Sequence, residues 1–142
     1  MSPGSGVVLP SAVRRAIVAH AREAHPAECC GLLVGGGRRV DFAVRMQNVS
    51  GSPTRYRLDD RAHIELRKTL RAFRPPLAIV GVYHSHPDGT AEPSPTDVAE
   101  SHYAEWVHVI VGTRAGRSVL CAYTITDGHS HRLVVTRGNH LK

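Results

Sequence analysis

Residues 84–97 read HSHPDGTAEPSPTD, and the fold follows from how this stretch is read. Just upstream, residues 77–84 (LAIVGVYH) are apolar and β-branched, the composition of a central strand, and that strand runs straight into His84-Ser85-His86. Downstream, Ser94-Pro95-Thr96-Asp97 carries the marks of a helix start, with Ser at the N-cap, Pro at N1 and Asp at N3. The turn-rich PDGTAEP between them folds the chain back. Residues i and i+2 of a strand share a face, so the two imidazoles converge. Asp97 sits in a first helical turn, where the backbone dipoles favour a carboxylate. Two histidines and one carboxylate form the donor set of a catalytic zinc site that keeps a position open for water.

Each part also has a plainer explanation. Ser94 and Asp97 form an ordinary capping box, and a His-x-His pair arises easily in a chain with ten histidines. The full spacing, H-x-H-x7-S-x2-D, carries the expectation. A capped first turn would also hold the carboxylate still, so the two roles agree. A second triplet, His129-Ser130-His131, lacks this setting. It follows the turn signal Asp127-Gly128, and the RLVVTRGNHLK stretch that begins right after it, at Arg132, contains no acidic residue. Solvent-exposed hairpin residues are expected there.

Outward from the motif, Ser11 is placed as the cap of a helix over about residues 12–24, with Val13, Ala16, Ile17, His20, Ala21 and Ala24 on one face and His25-Pro26 at its end. Residues 29–34 (CCGLLV) read as a buried strand. Val40, Phe42, Val44 and Met46 alternate as one face of a half-buried strand. Asp59 and Asp60 open a second helix through about Phe73, with Ile64, Leu66, Leu70 and Phe73 toward a core. Strands are predicted over 107–112 and 118–125, and a last hairpin strand over 131–136. The sum is an α/β (α+β) fold, one mixed sheet with helices against it. Met1–Gly6 reads as a flexible lead-in and residues 7–142 as one domain, which suits 142 residues.

No apolar run approaches the ~18 residues of a membrane span, and the N-terminus lacks the charged and apolar regions of an export signal. A cytoplasmic location with no membrane partner is expected. Cys29, Cys30 and Cys121 lie in apolar stretches and read as small buried hydrophobes. The net charge of +6 admits an acidic partner, but the basic residues are scattered and aromatic platforms are few, so nucleic-acid binding gains no specific support.

A hydrolase built on such a site needs a general base and a donor for the oxyanion. Glu28 is the candidate base, because it directly precedes the apolar run of a core strand. Glu23, its rival, falls on the polar face of the first helix.

Glu28, His84-Ser85-His86, Ser94 and Asp97 together resemble the JAMM motif of the MPN+ metallopeptidases. Glu28-Cys29-Cys30-Gly31-Leu32-Leu33 is similar to that family's strand carrying the glutamate, and His86-Pro87 and Pro93-Ser94 to its loop. The similarity spans roughly residues 8–136, and no motif position departs from the pattern. It implies the MPN (cytidine-deaminase-like) architecture and one Zn2+ bound by His84, His86 and Asp97. It implies further that Glu28 relays a proton from water to the leaving amine and that Ser94 bonds the water or the oxyanion, in competition with its capping role. Family members cut after the C-terminal Gly-Gly of ubiquitin-like proteins. Asn48–Asp59 (NVSGSPTRYRLD) also resembles a segment of the bacterial enzymes that release cysteine from a sulfur-carrier protein. The alternatives are a non-catalytic MPN scaffold, which would have lost part of the motif, a zinc amidase acting on a small substrate, and a DNA-associated RadC-type protein, for whose appendage the chain leaves no room.

Overall fold

A computed structural model describes residues 6–52 and 55–138. The elements run β1 (Gly6–Val8), α1 (Ser11–Ala24), β2 (Cys30–Gly36), β3 (Arg39–Met46), α2 (Asp60–Arg71), β4 (Ala78–His86), α3 (Pro95–Ala99), β5 (Val107–Arg114), β6 (Arg117–Thr126) and β7 (His129–Thr136). The strands form one mixed sheet in the order β1-β3-β2-β4-β5-β6-β7, which closes on itself because β1 pairs in parallel with both β3 and β7. The sheet with flanking helices is as expected. Its closure is not, and it depends on three residues, Gly6–Val8, the first of which the sequence alone places in the lead-in. The rest of the lead-in, residues 1–5, lies outside the described residues.

The two faces of the sheet bury different cores. On one, Val13 and Ile17 of α1 meet Leu33, Val40, Tyr83, Val107 and Val109. On the other, Leu66 of α2 packs with Leu32, Val82 and Trp106. Within β4, Tyr83 belongs to the α1 side and Val82 to the α2 side. Strand alternation therefore sends His84 and His86 toward α2. No helix among the described residues is long and apolar enough to cross a membrane. All three cysteines are buried.

Three local expectations are corrected. The N-cap of α1 is Pro10, whose carbonyl accepts the Arg14 N–H at 3.0 Å, so Ser11 is already helical and caps nothing. The alternation Val40-Phe42-Val44-Met46 does not mark one face. The β2–β3 register shifts so that Val34 faces Phe42 while Gly35 faces Val40, leaving Asp41 as the extra residue of a bulge. Past the bulge the faces swap: Val40 and Ala43 join the α1 core, Met46 joins the α2 core, and Phe42 is exposed. In α2, Leu66 and Leu70 face inward but Ile64 is exposed, and Phe73, expected in the helix, lies beyond its end at Arg71 and is exposed too. Ile64 and Leu66, two positions apart, lie on opposite sides of a helix with 3.6 residues per turn.

Candidate metal centre

Three side chains from two elements meet at the end of β4. His84 Nε2 and His86 Nε2 lie 3.2 Å and 3.1 Å from Asp97 Oδ2, and 3.1 Å from each other. A tetrahedral zinc with ligands at about 2.0–2.1 Å has ligand-to-ligand edges of about 3.3 Å, so these separations fit a single ion. Among the described residues, this is the one group of three or more His, Cys, Asp or Glu side chains close enough to share a metal.

The local chemistry explains the convergence. Ser94 Oγ accepts the Asp97 N–H at 3.0 Å, and Asp97 Oδ2 accepts the Ser94 N–H at 2.8 Å, a reciprocal capping box that fixes the carboxylate. The cap uses Ser94 Oγ as an acceptor and leaves its O–H proton to donate elsewhere, so the expected competition between capping and catalysis does not arise. His86 Nδ1 lies 2.9 Å from the Thr90 carbonyl. A carbonyl can only accept, so Nδ1 carries the proton and the Nε2 lone pair of the neutral ring faces the cluster. His84 is held by packing instead. Its Nδ1 is buried without a hydrogen-bond partner among the described residues, and the Tyr56 ring stacks on it at 4.3 Å and 22°.

The cluster stabilises positive charge. Burial works against the ionised Asp97 carboxylate, but in the metal-free cluster N–H groups at Nε2 of the His84 and His86 rings, with the Ser94 N–H, outweigh it and hold the group far below the usual carboxylate range. Burial also works against a charged His86, and its bonds to Asp97 and the Thr90 carbonyl reverse that, raising its affinity for a proton. Burial keeps His84 neutral. Once those Nε2 protons leave, two imidazole lone pairs and an anion offer a divalent cation its donor set.

Glu28 reaches the same place through the sheet. Cys30 pairs with His84, the Ser85 N–H donates to the Cys29 carbonyl at 3.1 Å, and the Cys29 N–H donates to Ser85 Oγ at 2.9 Å. One step further, this antiparallel register sets Glu28 opposite His86. Its carboxyl is pushed up to about 7, chiefly by burial. Glu23 is committed elsewhere, in a two-point ion pair with Arg45 at 2.8 Å and 2.9 Å.

Glu28, His86, Ser94 and Asp97 line one cleft of about 1220 Å³, which continues past Tyr56 to His63, Tyr103 and Trp106. That exceeds the roughly 300–1,000 Å³ of a small-molecule pocket and suits an extended chain. Sequence reasoning missed Tyr56, Thr90, Ser85 and Asn48. Asn48 donates to the Glu28 carbonyl at 3.1 Å and to the Arg55 carbonyl at 2.8 Å, tying the 48–58 loop to the glutamate. Ser85 lay inside the motif itself. Asn48 and Tyr56 lay inside the 48–59 segment that the resemblance singled out, and Thr90 inside the turn-rich loop, but no periodicity or residue type marked these three individually.

The profile of the family described as prokaryotic homologs of the JAB domain matches residues 10–131. The CysO-cysteine peptidase of Mycobacterium tuberculosis is 38% identical over 126 residues, covering 86% of this chain and 84% of that protein. A probable TtuB-protein conjugate cleaving protease of Thermus thermophilus is 36% identical over 118 residues, covering 82% and 74%. In three dimensions a protein from Desulfitobacterium hafniense superimposes with a TM-score of 0.80 at 25% identity, covering 92% of this chain and 91% of its own.

Proposed function

This chain belongs to the prokaryotic JAB family, the short JAMM/MPN type, and on that premise we propose that it is a zinc-dependent peptidase. Its substrate is a ubiquitin-like or sulfur-carrier protein, cut at the peptide or isopeptide bond after the C-terminal Gly-Gly. The observation that carries the reading is the approach of His84, His86 and Asp97 to 3.1–3.2 Å of one another, with His86 and Asp97 lining a cleft of about 1220 Å³. The names of the relatives, a CysO-cysteine peptidase and a TtuB-conjugate protease, support the class of substrate.

His84, His86 and Asp97 would hold the zinc, which supplies Lewis acidity toward a water and the scissile carbonyl near neutral pH. Glu28 accepts a proton from the attacking water and returns it to the leaving amine. A carboxyl raised to about 7 is matched to both transfers. Ser94, with its O–H proton free of the cap, donates to the oxyanion. The chain of bonds from Asn48 to the Glu28 carbonyl, and from Cys29 to Ser85, keeps the base in register with the ligands. A Gly-Gly tail has no side chains to exclude and can lie extended along the cleft.

The test is incubation of the zinc-loaded protein with sulfur-carrier proteins extended beyond Gly-Gly, read by intact mass. Loss of the extension is the expected result. Intact extensions on every carrier tried, with zinc bound, would overturn the reading.

A further inference from the structure

Two residues that line the cleft, Arg55 of the 48–58 loop and Glu100 at the end of α3, form an ion pair. Arg55 Nη2 lies 2.8 Å from Glu100 Oε2, and the two side chains are 59% and 54% exposed. Both partners are anchored next to the cluster. Tyr56, the residue after Arg55, stacks on His84. Glu100 is the C-cap of α3, three residues after Asp97 and so about 4.5 Å further along the helix axis. The Arg55 backbone is fixed as well, since its carbonyl accepts from Asn48 Nδ2 at 2.8 Å and Ser50 Oγ at 2.9 Å.

This inference rests on the peptidase reading above. We propose that Arg55 is a specificity residue: it receives the free α-carboxylate of a leaving group one amino acid long, and Glu100 holds its place in the substrate-free protein. The dimensions agree. In a chain whose Cα atoms are about 3.8 Å apart, the carboxylate of a single residue beyond the scissile bond falls about one residue from the reacting carbonyl. The backbone rise from Asp97 to Glu100 along α3 is of the same scale. A guanidinium presents paired N–H groups that match a carboxylate, so a substrate carboxylate can take over the contact that Glu100 makes. An exposed ion pair is held weakly, and its exchange costs little. Arg57, the other cleft arginine, is directed elsewhere, 3.9 Å from Asp60. The substrate class that follows is a carrier protein carrying one C-terminal amino acid with a free acid. Leaving groups without that acid, such as an isopeptide-linked lysine inside a protein, are disfavoured.

The experiment uses one carrier in two forms, Gly-Gly plus a single residue ending in a carboxylate and the same chain ending in a carboxamide. Initial rates come from intact mass. The zinc-loaded wild type is expected to favour the acid by at least about tenfold in kcat/KM, mainly through KM. R55Q should collapse that ratio toward one, R55K should keep part of it, and R57Q should keep it. E100Q, which removes the competing carboxylate, should lower KM for the acid alone. Should R55Q fail to fold, as judged by its thermal melt, R55K and E100Q carry the same test. Equal rates on the two forms by wild type would leave the peptidase reading standing and overturn this inference. So would a ratio that survives in R55Q or falls in R57Q, or an E100Q effect equal on both forms. Cleavage of neither form, on every carrier tried and with zinc bound, would remove the peptidase reading and the inference with it.

Discussion

The chain contains His-Ser-His twice, each time on a β-strand, and the two copies differ in nearly everything else. His84 and Ser85 are buried on β4, which is hydrogen-bonded on one side to β2 and on the other to β5. His129, Ser130 and His131 are exposed on β7, where β1 covers only Val134–Thr136 and leaves the triplet at an open edge. In the first copy a carboxylate returns on a capped helix turn, a carbonyl fixes one ring and an aromatic ring packs on the other. Among the described residues the second copy has none of these, and no hydrogen bond or ring contact to its imidazoles is found there. The residue types are the same; what brings one copy together with a carboxylate is the neighbouring strands and the returning loop.

The comparison can be broken at its strongest point first. D97N removes the anion that both imidazoles approach. Hydrolysis of an extended carrier should fall on the order of 10³-fold or more, the scale of losing several kcal/mol of metal assistance. A D97N protein with near wild-type turnover would remove the carboxylate from the site.

E28Q should keep the metal and lose about 10²–10⁴-fold in kcat, because it removes the proton acceptor and not a ligand. Its pH dependence sharpens the point. Glu28 must be ionised to act as a base, so wild-type kcat/KM should rise with pH through about 7. A carboxyl raised in the folded state contributes stability that is present at low pH and lost as pH rises through that value. Metal-free E28Q should therefore melt with wild type at about pH 4, below the ordinary glutamate value, and above it at about pH 8. Parallel melts at both pH values would show that burial does not perturb Glu28.

G112A tests the support behind His86. A Cβ at Gly112 would meet Gly89 O at 2.5 Å, Ala91 N at 2.6 Å and the Thr90 carbonyl carbon at 2.7 Å, all backbone atoms that cannot step aside. The loop bearing the Thr90 carbonyl must shift, and the bond that sets the His86 tautomer goes with it. Zinc affinity should weaken by about 10–100-fold in a competitive chelator titration. Unchanged affinity would mean that this carbonyl does not orient the ring.

The smallest effect is expected at the other triplet. The H129A/H131A double variant should unfold within about 0.5 kcal/mol of wild type in urea, as exposed side chains without partners do.

The sequence made the site more legible than the sheet around it. His84, His86 and Asp97 were legible because a strand end and a helix cap are local signals, and the capping box is written in four adjacent residues. Glu28 was legible because it borders an unbroken apolar run. What stayed hidden is non-local. The Asp41 bulge reverses a face that alternation alone assigns to Phe42, and only the pairing with β2 reveals it. The closure of the sheet depends on a strand of three residues, too short to show a period. Tyr56 and Thr90 act through loop geometry, one by stacking and one through its backbone carbonyl, so neither residue type announces its role.

The most direct measurement of the central claim is metal content per chain after zinc loading and gel filtration, for wild type, H84A/H86A and H129A/H131A. The account predicts about one zinc in wild type, about one in H129A/H131A and almost none in H84A/H86A. Zinc retained by H84A/H86A, or lost with the second triplet, would contradict it.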